Sequence, residues 1–521
     1  MGAEPTDLMR QDLATQTSPQ VCETDVAIVG GGIAGFVLAN QLQKYGVSCA
    51  LLESGSAAEV EGDPLFSDVS FPRRVYGGAL EGRSRCIGGT SVKWGGQFVP
   101  FREADFAPRH HPAQPSWPIG FSDVEPFIPM AENLFALDHG SYDASVPGLD
   151  TESDAFRARE AKCPKFASRN VSFLFRDITD GASHIPVWLN ATVRGFDVQN
   201  GNLRSVTAFG PQAEQLKVTA KTFVFCAGAI ETTRLMLLLD EQTNGRAVDG
   251  RAHLGRYFQD HLSLPLARIE TRSPEKLNEA FGLRFDGQMI RRVRFEQGVE
   301  GATAGYIYIA PRTYGPTGFD GIRDFMRSLQ RPKPDFKALG SSLKYSPYLA
   351  RLVWWRFIKK RLLWPGPAEY DVHFVIEQLP DPTNRIVLGE RQDQLGHPVA
   401  EIDWDITQDD VAEMEGFRDA FEKYWSGTGL CKYGDLVWTG EPKDLWCEDE
   451  TEVEAVYHPG GTTRMADSAN DGVVDKNLRV FGIKNLHLAA TSVFPNGGSS
   501  NPTMTLILLA LRMAEHLKAQ R

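Results

Sequence analysis

Residues 30–35 read GGGIAG, and their flanks constrain the fold more than any other stretch of the chain. Before them, TDVAIVG (24–30) is β-branched and apolar, the pattern of a buried parallel strand. After them, FVLANQLQKYG has helical periodicity and stops at Gly46, a residue suited to closing a helix. SCALLES (48–54) then reads as the next parallel strand. Strand, turn, helix and strand in about 30 residues make a βαβ unit, which implies a parallel sheet with helices on its faces. In that setting Gly30 permits the tight turn, Gly32 lets backbone approach a pyrophosphate, and Gly35 lets helix and strand pack closely. The helix start offers free N–H groups and partial positive charge to a diphosphate. Glu53, at the end of the second strand, is placed to accept ribose hydroxyl protons; its charge would repel a 2′-phosphate, which disfavours NADP. The pattern does not separate FAD from NAD.

The rest of the chain bounds the answer. Its 521 residues suggest two or more domains, or one large discontinuous pair. A net charge of −12 argues against nucleic-acid binding, which needs a basic surface. The seven cysteines show no CxxC pair, so neither a metal site nor a disulfide framework is expected, and the thiols read as reduced and cytosolic. MGAEPTDLMRQDLATQTSPQ lacks the charged start and apolar core of a signal peptide and reads as a floppy leader; its first residues meet only the loose myristoylation pattern. No apolar run approaches the roughly 20 residues that cross a bilayer; the richest, 503–514, holds two threonines and an arginine.

Residues 191–219 read as three short antiparallel strands with a turn at NGN. TFVFCAG (222–228) reads as a further buried strand and AIETTRLMLLL as a helix. HFVIEQLPDPTNRIVLG (373–389) reads as strands on either side of a Pro-Asp-Pro turn. Residues 351–364, RLVWWRFIKKRLLW, carry five basic groups and three tryptophans with no acid; a lid, a subunit contact and a membrane-surface helix all fit them. The stretch before them, RSLQRPKPDFKALGSSLKYSP, reads as a mobile loop. The adjacent His110 and His111 stay unassigned, as does Cys86, and Cys226 reads as core.

HPGGTTRM (458–465), GVVDKNLRVFGIKNLHLAATSVFP (472–495) and GGSSNPTMT (497–505) together resemble the C-terminal signature of the glucose–methanol–choline (GMC) oxidoreductases. GGGIAG, SRCIGGTSVKWGG (84–96), FVFCAGAIETTRLM (223–236) and LGRYFQDH (254–261) match the same family. The resemblance implies an α/β fold, α+β overall. A discontinuous Rossmann-like FAD-binding domain (20–100, 185–265, 456–521) would carry an inserted substrate domain (101–184, 266–455) built on an antiparallel sheet. It further implies bound FAD and oxidation of an alcohol to a carbonyl. His458 would be the base, Asn501 its partner 43 positions on, and hydride would pass to flavin N5. The His–Asn pair is similar to that of pyranose 2-oxidase and related sugar or sterol oxidases.

The same resemblance implies FAD contacts at Gly88, Gly89, Thr90, Ser91, Val193, Ala227, Ala490, Thr491, Pro502 and Thr503. Lys93 stands where pyranose 2-oxidases carry the histidine that can link the flavin, so non-covalent FAD is expected. The NPT run suggests Asn501 as a helix N-cap and Pro502 as the first helical residue. The substrate expected is a sugar, glycoside or other polyol. A sterol or other non-sugar alcohol, or hydroxynitrile-lyase chemistry on the same scaffold, is the alternative. Oxygen, a quinone or a protein carrier would take the electrons in a cytoplasmic enzyme; a homo-oligomer is left open, and no membrane contact is expected.

Overall fold

A computed structural model describes residues 9–63, 68–108, 115–146, 155–297, 303–312, 346–364, 368–446 and 454–520, with a few positions between 321 and 337. The elements that build the site run as follows. Strand β1 (Arg10–Asp12) and β2 (Gln20–Val29) precede helix α1 (Ile33–Lys44) and β3 (Cys49–Leu52). β4 (Phe156–Cys163), β5 (Val187–Leu189), β6 (Thr192–Gln199), β7 (Asn202–Phe209) and β8 (Gln215–Phe225) lead to α2 (Gly228–Gln242). β9 (His261–Glu270), α3 (Pro274–Phe281), β10 (Met289–Gln297), β11 (Gly305–Arg312), α4 (Ser346–Trp354) and β12 (Glu369–Glu377) follow. β13 (Arg385–Gln392), β14 (Pro398–Asp403), α5 (Gln408–Gly427), β15 (Leu486–Leu488) and α6 (Thr503–Ala519) complete the set.

The first sheet has the order β1-β5-β3-β2-β8-β7-β6, with β15 beside β8. β2 lies parallel between β3 and β8, and its end, Val26–Val29, is buried on both faces, as the apolar run requires. α1 ends at Lys44, with Gly46 just beyond at φ 68°. The turn between β6 and β7 places Asn200 and Gly201 at φ 52° and 70°, both left-handed as a tight hairpin demands.

Two expectations are corrected in this half. β8 is one strand of 11 residues rather than two. Its first part pairs antiparallel with β7 and its whole length runs parallel to β2, so a hairpin passes unbroken into the central sheet. The leader is not floppy over residues 9–20. β1 pairs parallel with β5, Val187 N–H donates to Met9 O, and Leu13 is fully buried. β5 would otherwise be an open edge, and β1 satisfies its backbone groups.

The second sheet is antiparallel, with β4-β10-β11-β12-β9 in succession. Its faces differ because side chains alternate along each strand. Val293, Phe295, Ile307, Phe374, Ile376, Leu262 and Leu264 form one face and pack in a core with Met414, Phe417 and Phe421 of α5. The other face carries His261, Arg294, Tyr306 and Glu377 toward the first sheet's half. β12 and β13 flank the Pro-Asp-Pro turn but do not pair; β13 pairs with β14 in a separate small sheet.

Among the described residues no helix is long and apolar enough to cross a membrane. The 503–514 run lies in α6, which packs on α1. The basic segment forms α4 and a π-helical turn, Trp355–Lys359. Arg351–Glu275 and Lys359–Glu279 ion pairs tie it to α3. Trp355 and Trp364 are buried, while Val353, Trp354, Phe357 and Ile358 are exposed. His110, His111 and most of the loop before 346 lie outside the described residues. Cys86 and Cys226 are both buried, and burial pushes the Cys86 thiol up to about 12.

Candidate active site

A cavity of about 580 Å³ opens in the first sheet's half, within the size range of cofactor sites. The starts of three helices converge on it: Gly32–Ala34 of α1, Ala227–Glu231 of α2 and Pro502–Thr503 of α6. None of the three has a side-chain cap, so their first N–H groups remain for an anionic ligand. Gly30 sits at φ 113°, and a Cβ there would lie 2.5 Å from Cys226 O. At Gly32 a Cβ would meet nothing within 4 Å, so backbone itself is the cavity wall. Glu53 is buried; its Oε2 accepts Gly31 N–H at 2.8 Å and its Oε1 accepts Gly55 N–H at 2.7 Å. Burial raises its pKa, opposed by those N–H groups and Arg85. The remaining lone pairs suit a ribose diol.

Gly30, Gly32, Glu53, Gly89, Thr90, Val193, Ala227, Ala490, Thr491, Pro502 and Thr503 all line this cavity. Gly35, Gly88 and Ser91 do not. Gly35 packs on Gly30, where a Cβ would stand 2.1 Å from Gly30 O. Gly88 makes a left-handed turn, φ 96°, against Asn170. The Ser91 hydroxyl donates to Gly88 O at 2.6 Å and accepts Val171 N–H at 3.0 Å. These three hold the wall from behind. Lys93 also lines the cavity; its ammonium meets Glu59 at 2.6 Å and Arg83 O at 3.1 Å.

His458 and Asn501, both on the cavity wall, meet there: Asn501 Nδ2 lies 3.2 Å from His458 Nε2. Asn501 does not cap α6, contrary to expectation. Pro502 occupies the N-cap position with no side-chain bond, and the Asn501 amide turns away. Arg294 holds it there, donating from NH1 to Asn501 Oδ1 at 2.7 Å. That bond fixes which end of the amide faces His458: the NH₂ donates to Nε2.

The protonation pattern of the histidines follows from one carbonyl. His261 Nε2 lies 2.9 Å from Gly498 O, which only accepts, so His261 carries its proton there. Its Nδ1 is then an acceptor, and His458 Nδ1, 3.3 Å away, must donate to it. The lone pair of His458 is left on Nε2. Burial, the neighbouring His261 and Arg294 hold the His458 pKa well below 6.5, and burial lowers that of His261 too. Both rings are therefore neutral near pH 7. Asp260 supports the turn, accepting His458 N–H at 2.8 Å, His261 N–H at 2.6 Å and the Tyr76 hydroxyl at 2.5 Å. Burial raises its pKa to about 7 despite those donors. Asp260, His261 and His458 lie close enough to hold a metal ion, yet the hydrogen bonds above account for all three.

A family model described as GMC oxidoreductase matches residues 380–510, and one described as FAD binding domain matches residues 23–62. The large subunit of fructose dehydrogenase from Gluconobacter japonicus is 26% identical over 64% of this chain and 54% of its own. 2-Methyl-1,2-propanediol dehydrogenase from Mycolicibacterium austroafricanum is 21% identical over 95% of both chains. The crystal structure of formate oxidase superposes with a TM-score of 0.57 over 97% of this chain and 99% of that one, at 16% identity. The chain is thus similar to the GMC oxidoreductases. It is an FAD-dependent oxidoreductase, and the glycine turn, Glu53 and the three helix starts fit that cofactor.

His261, Asp260 and Arg294 are the site residues that sequence reading missed. The first two end the LGRYFQDH stretch, a family mark whose sequence alone does not tell their role. Arg294 lies in the half where the resemblance fades, and no motif marks it.

Proposed function

We propose that the protein oxidises a CH–OH group of a sugar, glycoside or other polyol to a carbonyl, with non-covalently bound FAD and His458 as the base. The 3.2 Å contact between Asn501 Nδ2 and His458 Nε2 carries this reading, because it puts a lone pair and an amide donor side by side on the cavity wall. Bound FAD supplies the acceptor for the hydride that leaves the carbinol carbon. The substrate hydroxyl gives its proton to His458 Nε2, which is unprotonated because burial depresses its pKa. Asn501 donates to the same oxygen, and Arg294 keeps its amide from flipping. His261 accepts from Nδ1 and stabilises the imidazolium as it forms. Holding the hydroxyl between two fixed groups removes orientational freedom before reaction. Lys93, engaged by Glu59, supports the absence of a covalent flavin link. The two dehydrogenases similar to this chain act on a sugar and a diol by name, which favours an alcohol as substrate.

The test is anaerobic mixing of the yellow holoprotein with sugars, glycosides and small diols. Bleaching by at least one is expected. His458→Ala should slow that bleaching by about 10²–10⁴-fold, the usual share of a general base, with FAD content unchanged. Bleaching at the native rate in His458→Ala would overturn the assignment, as would cyanide release from cyanohydrins without any bleaching.

A further inference from the structure

We propose that the substrate carries an anionic group, such as a carboxylate, which Arg292 binds one strand step away from the reacting carbinol. This rests on the reading that His458 and Asn501 receive the carbinol. β10 pairs with β4 in unbroken register from Ile290 to Gln297, so Arg292 and Arg294 share a face, about 7 Å apart. Arg294 reaches Asn501, and its guanidinium stacks over Tyr306 at 3.9 Å. Arg292 repeats the motif, stacking over Tyr308 at 3.9 Å. Tyr306 and Tyr308 stand 6.2 Å apart, and Tyr308 stacks on His373 at 4.7 Å with rings 4° from parallel. A second rung of cation and aromatic rings thus copies the first, beside the catalytic pair.

The two rungs differ in charge. Arg294 is neutralised by Glu296 at 2.7 Å and also bonds Ser499 O and the Ser500 hydroxyl. Among the described residues Arg292 has no hydrogen bond and no carboxylate; the Tyr308 ring is its contact. His373 Nδ1 is buried without a hydrogen-bond partner among those residues. Burial, with Arg292 and Arg312 nearby, pushes the His373 pKa to about 4, so this ring offers an N–H donor but no charge. Arg292, Tyr308 and His373 are each half-buried, which leaves them reachable from solvent. A half-buried guanidinium with no counter-charge among the described residues favours an anion with two acceptor oxygens, and the Tyr308–His373 pair offers a flat face for the body between anion and carbinol.

Two isosteric alcohols test this on the holoenzyme: 4-(hydroxymethyl)benzoate and 4-(hydroxymethyl)benzamide. The anionic one should reduce the flavin with a kcat/KM about tenfold higher or more, as a charge-assisted contact gives. Arg292→Gln should erase that preference and leave the amide within about twofold, while Arg292→Lys should retain part of it. Calorimetric titration with 4-methylbenzoate against 4-methylbenzamide reads binding without turnover, and the same ordering is expected. Equal binding of the two in the native enzyme, or an unchanged preference in Arg292→Gln, would overturn the proposal. If neither these alcohols nor any sugar, glycoside or small diol bleaches the flavin while 4-methylbenzoate binds through Arg292, the anion site stands and the alcohol reading falls.

Discussion

As the proposed base, His458 can act only while its lone pair stays on Nε2, and that depends on a residue that does not line the cavity. Without His261, nothing would accept from His458 Nδ1, and the proton could move to Nε2, opposite the Asn501 amide donor. His261→Ala should therefore slow flavin reduction by roughly tenfold to a hundredfold, part of the base's contribution. Because His261 and Arg294 also depress the His458 pKa, the acid limb of the rate profile should move to higher pH in this variant. A slower enzyme with an unmoved limb would mean that His261 serves packing alone. Asp260 gives a second residue-level test. Its carboxyl rises from 3.8 to about 7 on folding, so between those values the folded protein holds a proton that the unfolded chain has released. Stability should then fall as pH rises through that window, and Asp260→Asn should flatten the fall. Thermal midpoints at pH 5 and pH 8 for both proteins would check it; identical slopes would count against it. His458 and Asn501 were legible because the residues around them form a dense motif. Arg294 was not, since a lone arginine in a strand looks the same whether it serves a surface or a site.

At the scale of elements, legibility followed locality. The unit from β2 through α1 to β3 was readable because its glycines, apolar run and terminal acid act on one another within about 30 residues. The start of α6 misled for a physical reason. Asn-Pro-Thr is a good capping sequence by local propensity, but Arg294, more than 200 positions away, holds the Asn501 amide with a charge-assisted bond at 2.7 Å. Tertiary contact won over local preference. β1 misled in the same way: RQD is too short and polar to announce a strand, and it forms because β5 offers an unpaired edge. Leu13 beside it is fully buried, so Leu13→Ala should cost about 2–5 kcal/mol, like other buried leucines. Urea unfolding would measure this, and a loss below about 0.5 kcal/mol would show that the leader contributes nothing to the fold.

For the whole molecule the consequence lies in how the two sheets are joined. Residues 498–501 are gripped from both sides. Gly498 N–H donates to Glu377 at 2.8 Å, and its carbonyl accepts from His261 at 2.9 Å. The Ser499 hydroxyl donates to Asp105 at 2.7 Å, and Arg294 donates to Ser500 and Asn501 at 2.6 and 2.7 Å. Arg294 is itself buried beside Glu296, whose pKa burial raises but Arg159, Arg294 and Arg102 bring down to about 2. This polar seam ties the second sheet to the segment that leads into α6 and hence to the wall of the FAD cavity. FAD should therefore stabilise both halves, although most of its expected contacts lie in the first. At a hundredfold excess over its dissociation constant a ligand adds about 2.7 kcal/mol, which should raise the midpoint by several degrees in a single transition. Stripping FAD should lower that midpoint, and adding it back should restore it. In Arg294→Ala the seam loses its hub, and the transition should split, with FAD raising only the step that reports the first sheet. Calorimetry of the native protein and this variant, each with and without FAD, separates the cases. Two native transitions that respond to FAD independently would show that the seam transmits nothing between the halves.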